Sequence, residues 1–168
     1  MMMLNTGVGP AVSGDAAQMT RLLKTVIDAG GTTAYQTPFD VDKMRHHCIN
    51  RPDLVCSHVT ISNGQLSGFQ YVGWATSADP MPDGWAVIAT FVGLDRGKMG
   101  IGQKLFSATR FAAKAAGVQV LDATIRGDNV GGLKYYGGLG FTDYAEIPNL
   151  PLADGTPVTR IRKKLMLT

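Results

Sequence analysis

The sequence holds a single glutamate, Glu146, so carboxylate acid–base chemistry would fall almost entirely to aspartates. Its two cysteines, Cys48 and Cys56, show no repeated spacing and give no disulfide framework. With His46, His47 and His58 they make a sparse set of metal-binding residue types. Helical neighbours 46, 47 and 48 cannot converge on one ion, and a closed zinc site needs four convergent ligands, so no metal is expected. An excess of charge of one sign is also missing. The 16 basic and 13 acidic residues leave a net +3, too mild for a dedicated nucleic-acid binder and suited to a polyanionic small ligand. No window approaches the ~20 apolar residues of a membrane-spanning helix, and Met1–Gly7 has neither a basic start nor a continuous apolar stretch. The expectation is a soluble, cytoplasmic protein without membrane contact.

What is present is an ordinary globular composition, 45% hydrophobic and 17% charged over 168 residues, which fits one domain spanning 1–168. Met19, Leu22, Leu23, Val26 and Ile27 recur at helical spacing, with Ser13 or Asp15 to cap the start and Gly30-Gly31 to end it. A shorter helix starts near Asp40, carries Val41, Met44 and Cys48 on one face, and stops before Pro52. Leu54–Ile61 and Leu66–Ala75 read as a hairpin about Asn63-Gly64. Trp85–Val92 is a nearly unbroken apolar run, as a strand buried on both faces would be. A helix over Ile101–Ala116, with Ile101, Leu105, Ala108 and Ala112 inward, ends at Gly117, and Val118–Ile125 returns as a strand. Together these form a βαβ unit. A last helix over Gly131–Leu139 precedes strands near Phe141–Ile147 and Val158–Leu167, in which Arg160–Lys164 reads as a strand with a solvated edge. A first strand is weakly written within Leu4–Val8.

The segment Arg96-Gly97-Lys98-Met99-Gly100-Ile101-Gly102 links a buried strand to a helix. A helix N-terminus offers unpaired N–H groups and a positive dipole end, and glycine lets a phosphate come close. A dinucleotide fingerprint would need glycine where Leu105 stands, and a nucleotide P-loop would need Ser or Thr where Met99 follows Gly97-Lys98. Taken alone, the glycines could also serve only the geometry of a tight strand-to-helix turn.

Together with Asn129, Gly132, Tyr136, Gly140 and Phe141, this segment resembles the paired motifs of the GNAT superfamily of acyl-CoA-dependent N-acyltransferases. Gly100 and Gly102 match the coenzyme motif's glycines. Arg96 lies one residue too early, as though Met99 were inserted, and Gly132 stands where the second motif has alanine. The resemblance covers about Asp15–Leu167. It implies an α/β fold: a mixed, mostly antiparallel twisted sheet with a splayed parallel strand pair and about four helices.

It further implies transfer of an acyl group from acetyl-CoA to a primary amine by direct attack in a ternary complex, with a small-molecule acceptor favoured. Coenzyme A would bind to Phe91, Val92, Gly97, Lys98, Gly100, Ile101, Gly102, Gln103, Lys104 and Asn129, and Tyr136 would serve the departing thiolate. Asn129 could instead cap the last helix, and Tyr135 reads as a core aromatic. A water relay near Asp122, Thr124, Arg126 and Thr90 is a candidate base. Tyr35 and Phe39 are candidate acceptor-wall residues or plain core. Ser77–Gly84 is a candidate lid or homodimer contact. The competing functions are a non-catalytic coenzyme-binding module, and acylation of a protein or aminoacyl-tRNA amine.

Overall fold

The computed structural model describes residues 6–94 and 100–167. Met19, Leu22, Leu23 and Val26 form the buried stripe of helix α1 (Ala16–Ala29), entered through a 3-10 turn in which Asp15 accepts from the Val12 amide at 2.8 Å. Gly30, at φ +70°, ends the helix in the left-handed region that glycine enters without strain. Asp40 caps α2 (Val41–Cys48) by accepting from the Lys43 amide at 2.7 Å. The strands are β1 (Thr6–Pro10), β2 (Leu54–Ser62), β3 (Gln65–Trp74), β4 (Trp85–Val92), β5 (Val120–Arg126), β6 (Thr142–Pro151) and β7 (Pro157–Met166). The remaining helices are α3 (Ile101–Ala115) and α4 (Val130–Gly138). Asn63 and Gly64 both take positive φ between β2 and β3, as a two-residue hairpin turn requires.

The seven strands form one sheet in the order β1-β2-β3-β4-β5-β7-β6. Among the described residues only β4 and β5 run parallel, and they pair for three residues, Trp85–Val87 against Val120–Asp122. Beyond Val87 the pair splays. Two cores lie on opposite faces. Phe69, Tyr71 and Phe91 pack with Met19, Leu23 and Met44 of α1 and α2, while Ile88, Leu121, Ala123 and Ile125 pack with Phe106 and Ala113 of α3 and Tyr136 of α4.

Two expectations change. The buried stripe of α3 is Ile101, Leu105, Phe106, Thr109 and Ala113, while Ala108 and Ala112 sit at its half-buried margin. The basic run Arg160–Lys164 is not on an edge, because β6 folds back over β7, which lies between β5 and β6 with Arg162 and Lys163 paired to carboxylates. The edge is β6. It tolerates Pro148 and Pro151 through two irregularities and a positive φ at Asn149, since an edge strand has ladder positions to spare.

Candidate active site

The splay opens a cleft of about 1000 Å³ between β4, β5, the start of α3 and α4. Hydrogen bonds from Gly93 N to Ser67 O and from Ala75 N to Trp85 O fix the phase of the β3–β4 ladder. Odd-numbered residues of β4 therefore spend their backbone groups on β3, and Ile88, Thr90 and Val92 turn theirs to the opening. The Val92 backbone faces the opening, while the backbone of Phe91, expected beside it, faces Phe69 instead, although the residue lines the cleft.

At one end stands α3. Gly100, at φ +70°, precedes it, and a Cβ there would point into open space. The amides of Ile101, Gly102 and Gln103 form the helix's first turn, whose N–H groups have no intrahelical acceptor. Gly100, Gly102 and Gln103 line the cleft, whereas Ile101 is buried in the core. Lys104 points elsewhere and donates to the Thr6 carbonyl at 3.3 Å. Gly97 and Lys98 lie outside the described residues.

Beside this turn a polar chain runs through a hydrophobic layer. Gln70, fully buried on β3, donates from Nε2 to Thr90 Oγ1 at 2.8 Å and to Tyr135 Oη at 3.1 Å. Thr90 Oγ1 lies 2.7 Å from Tyr136 Oη, and Tyr135 Oη donates to the Gly102 carbonyl at 2.7 Å. The Tyr136 ring packs against Phe141 at 5.1 Å and Tyr135 at 4.9 Å. Burial pushes the Tyr136 phenol well above its ordinary range, and burial lifts Tyr135 to about 12. Both stay neutral donors at any physiological pH. Tyr135 is therefore more than a core aromatic. Its ring fills the space over Gly102, where an added Cβ would meet Cε2 at 2.5 Å, so this glycine is demanded by a helix contact as well as by any ligand.

Asn129 caps α4, accepting from the Gly132 amide at 2.9 Å, and donates to the Thr32 carbonyl at 3.1 Å while lining the cleft. A Cβ on residue 132 would meet Asn129 Nδ2 at 2.5 Å, which accounts for glycine there. Arg126 binds Asp128 through two hydrogen bonds of 2.9 and 2.7 Å and reaches the Thr33 carbonyl at 3.0 Å, holding the α1–α2 loop against β5. Tyr35 lines the cleft, and Phe39 belongs to the core.

The relay about Asp122 is not assembled. Asp122 is fully buried and engaged by Thr124, Tyr144 and Arg162, while Thr90 points to the opposite face toward Tyr136. Asp79, in the loop before β4, clamps Arg162 in a fork of 3.1 and 2.9 Å, and that loop does not line the cleft. Among the described residues lining the cleft there is no Asp, Glu or His; its only charged side chains are Arg126 and Arg160. No three His, Cys, Asp or Glu side chains are grouped to hold a metal among the described residues. Gln70, Tyr135 and Arg160 have no motif of their own. Only their alternation on strands, or adjacency to Tyr136, could have marked them.

No family model matches the chain. No curated protein matches its sequence. Solved structures superpose on nearly all of it. A candidate acetyltransferase from Salmonella typhimurium, solved with its cofactor acetyl-CoA, is 21% identical with a TM-score of 0.84 over 97% of this chain and 94% of that one. A candidate phosphinothricin N-acetyltransferase is 20% identical, with a TM-score of 0.80 over 98% and 99%. The ribosomal-protein-alanine N-acetyltransferase of Brucella melitensis is 17% identical, with a TM-score of 0.81 over 95% and 99%. The seven-stranded sheet with one splayed parallel pair and four helices is the fold of the GNAT N-acetyltransferases, and this chain has it.

Proposed function

We propose that the protein is an acetyl-CoA-dependent N-acetyltransferase acting on a small primary amine, with both substrates bound together. The observation that carries this is the cleft itself. The β4 backbone left unpaired by the splay, the open amides of α3 and the neutral Tyr136 hydroxyl converge on one cavity. These groups fit an extended amide-bearing arm ending in a pyrophosphate. Thr90 and Val92 offer backbone donors and acceptors to the arm, and Ile101, Gly102 and Gln103 offer amides to the phosphates.

Acetyl-CoA would supply the activated acyl carbon and a thiolate leaving group. The Val92 N–H faces the opening, where a fixed donor can stabilise an oxyanion developing on the carbonyl. Thr90 Oγ1 already accepts from Gln70, so its own proton is free for Tyr136 Oη, and the Tyr136 proton is then free for the sulfur. Complete transfer from Tyr136 is opposed by burial, because a phenol held above its usual ~10 is a far weaker acid than a thiol near ~8.5. Tyr136 thus stabilises the thiolate by donating a hydrogen bond, and the attacking nitrogen provides the proton that finally neutralises it. With no carboxylate or imidazole in the described lining, the amine reacts in its uncharged form, its ammonium proton leaving to water. Turnover should therefore rise with pH toward the acceptor's own pKa.

Thiol release from acetyl-CoA with a panel of amines tests the proposal. Amine-dependent release supports it. Tight coenzyme binding without turnover on any amine would instead indicate a binding module.

A further inference from the structure

Arg160 is a charged side chain of the cleft that no carboxylate engages among the described residues. It stands directly opposite Arg126 in the β5–β7 register. Arg126 is satisfied by Asp128 and the Thr33 carbonyl, whereas Arg160, only 6% exposed, has a buried Nη1 without a hydrogen-bond partner. Burial and the adjacent Arg126 both disfavour its charge, and Asp128, already held by Arg126, offsets them only in part. An unpaired buried guanidinium is costly, and a ligand that brings the missing anion recovers the cost.

The sheet's two faces say which ligand this is. Leu121, Ala123 and Ile125 of β5 face α3 and α4, so Arg126 and its partner Arg160 face the other way, beneath the α1–α2 loop that Arg126 holds. The phosphate-suited amides belong to α3, packed on the first of these faces. A cleft whose described lining has arginines but no acid also repels a polyamine and accommodates an amine that carries its own negative charge. We infer that Arg160 anchors a free carboxylate of the acceptor, which is an amino acid or amino-acid analogue. This rests on the acetyltransferase reading above and names the substrate class for that site.

The test compares the proteinogenic amino acids with their carboxamides and decarboxylated amines as acceptors for the wild-type protein, and repeats the best acid with Arg160→Met. The wild type should prefer an acid over its two counterparts by roughly 30- to 4000-fold in kcat/KM, the range for stranding one partner of a buried charge pair. Arg160→Met should lose that preference, with KM for the acid raised and the Kd for acetyl-CoA unchanged. Equal or better use of the carboxamide or amine by the wild type would overturn the inference while leaving the acetyltransferase standing, whatever the variant's stability. Weakened acetyl-CoA binding in Arg160→Met would reassign the arginine to the coenzyme and overturn it as well. Absence of any amine-dependent thiol release from wild type would overturn the function and the inference together.

Discussion

In the proposed reaction Tyr136 acts through a single hydroxyl, which lies 2.7 Å from Thr90 Oγ1. Tyr136→Phe keeps the ring against Phe141 and removes only the donor, so kcat should fall about 10- to 100-fold, the worth of one hydrogen bond to a charged group. Acetyl-CoA affinity measured by calorimetry should stay within about twofold, and a kcat equal to wild type would remove Tyr136 from the mechanism. The position of Tyr136 is legible in the sequence because it sits at a fixed distance from Asn129 and Gly140-Phe141 on one local segment. Gln70, which orients Thr90, is not legible. Its partners come from β4 and α4, and no local periodicity announces a buried amide shared by three elements.

Helices α3 and α4 interlock at their N-terminal and central turns. Gly102→Ala should drive its Cβ into the Tyr135 ring, break the 2.7 Å bond from Tyr135 to the Gly102 carbonyl and tilt the first turn of α3. Acetyl-CoA binding should weaken at least tenfold, and an unchanged Kd would show that the turn tolerates the shift. Asn129→Ala removes the cap of α4 and its tie to Thr32, costing about 1 kcal/mol in chemical denaturation. Helices, hairpin and βαβ unit are readable from the sequence because their signals are local: periodicity, capping residues and the Asn63-Gly64 turn. The placement of β7 inside the sheet is not, because strand order depends on pairing across distant segments and a basic strand reads as an edge until Asp79, Asp122 and Asp143 are seen to meet it.

At the scale of the molecule, burial acts in one direction on both thiols and on the Tyr135 phenol. Cys48 rises from 9.0 to about 12, Cys56 from 9.0 to about 11, and Tyr135 from 10.0 to about 12, each chiefly through desolvation. Each folded-state pKa exceeds its unfolded value, so the stabilisation is complete below pH 9 and is lost as pH rises toward 12, where the unfolded chain has released protons that the native state retains. The melting temperature should hold flat from pH 7 to 8.5 and fall steadily above pH 9. A rise over that interval would contradict the burial of these groups. Both thiols should likewise react slowly with a thiol reagent at pH 8 until the protein unfolds.

The proposed function requires the coenzyme's pyrophosphate to lie at the start of α3. A crystal structure with coenzyme A measures this directly. Phosphate oxygens within hydrogen-bonding distance of the amides of Ile101, Gly102 and Gln103, with the arm along Thr90 and Val92, are the predicted result; phosphates bound away from that turn would contradict it.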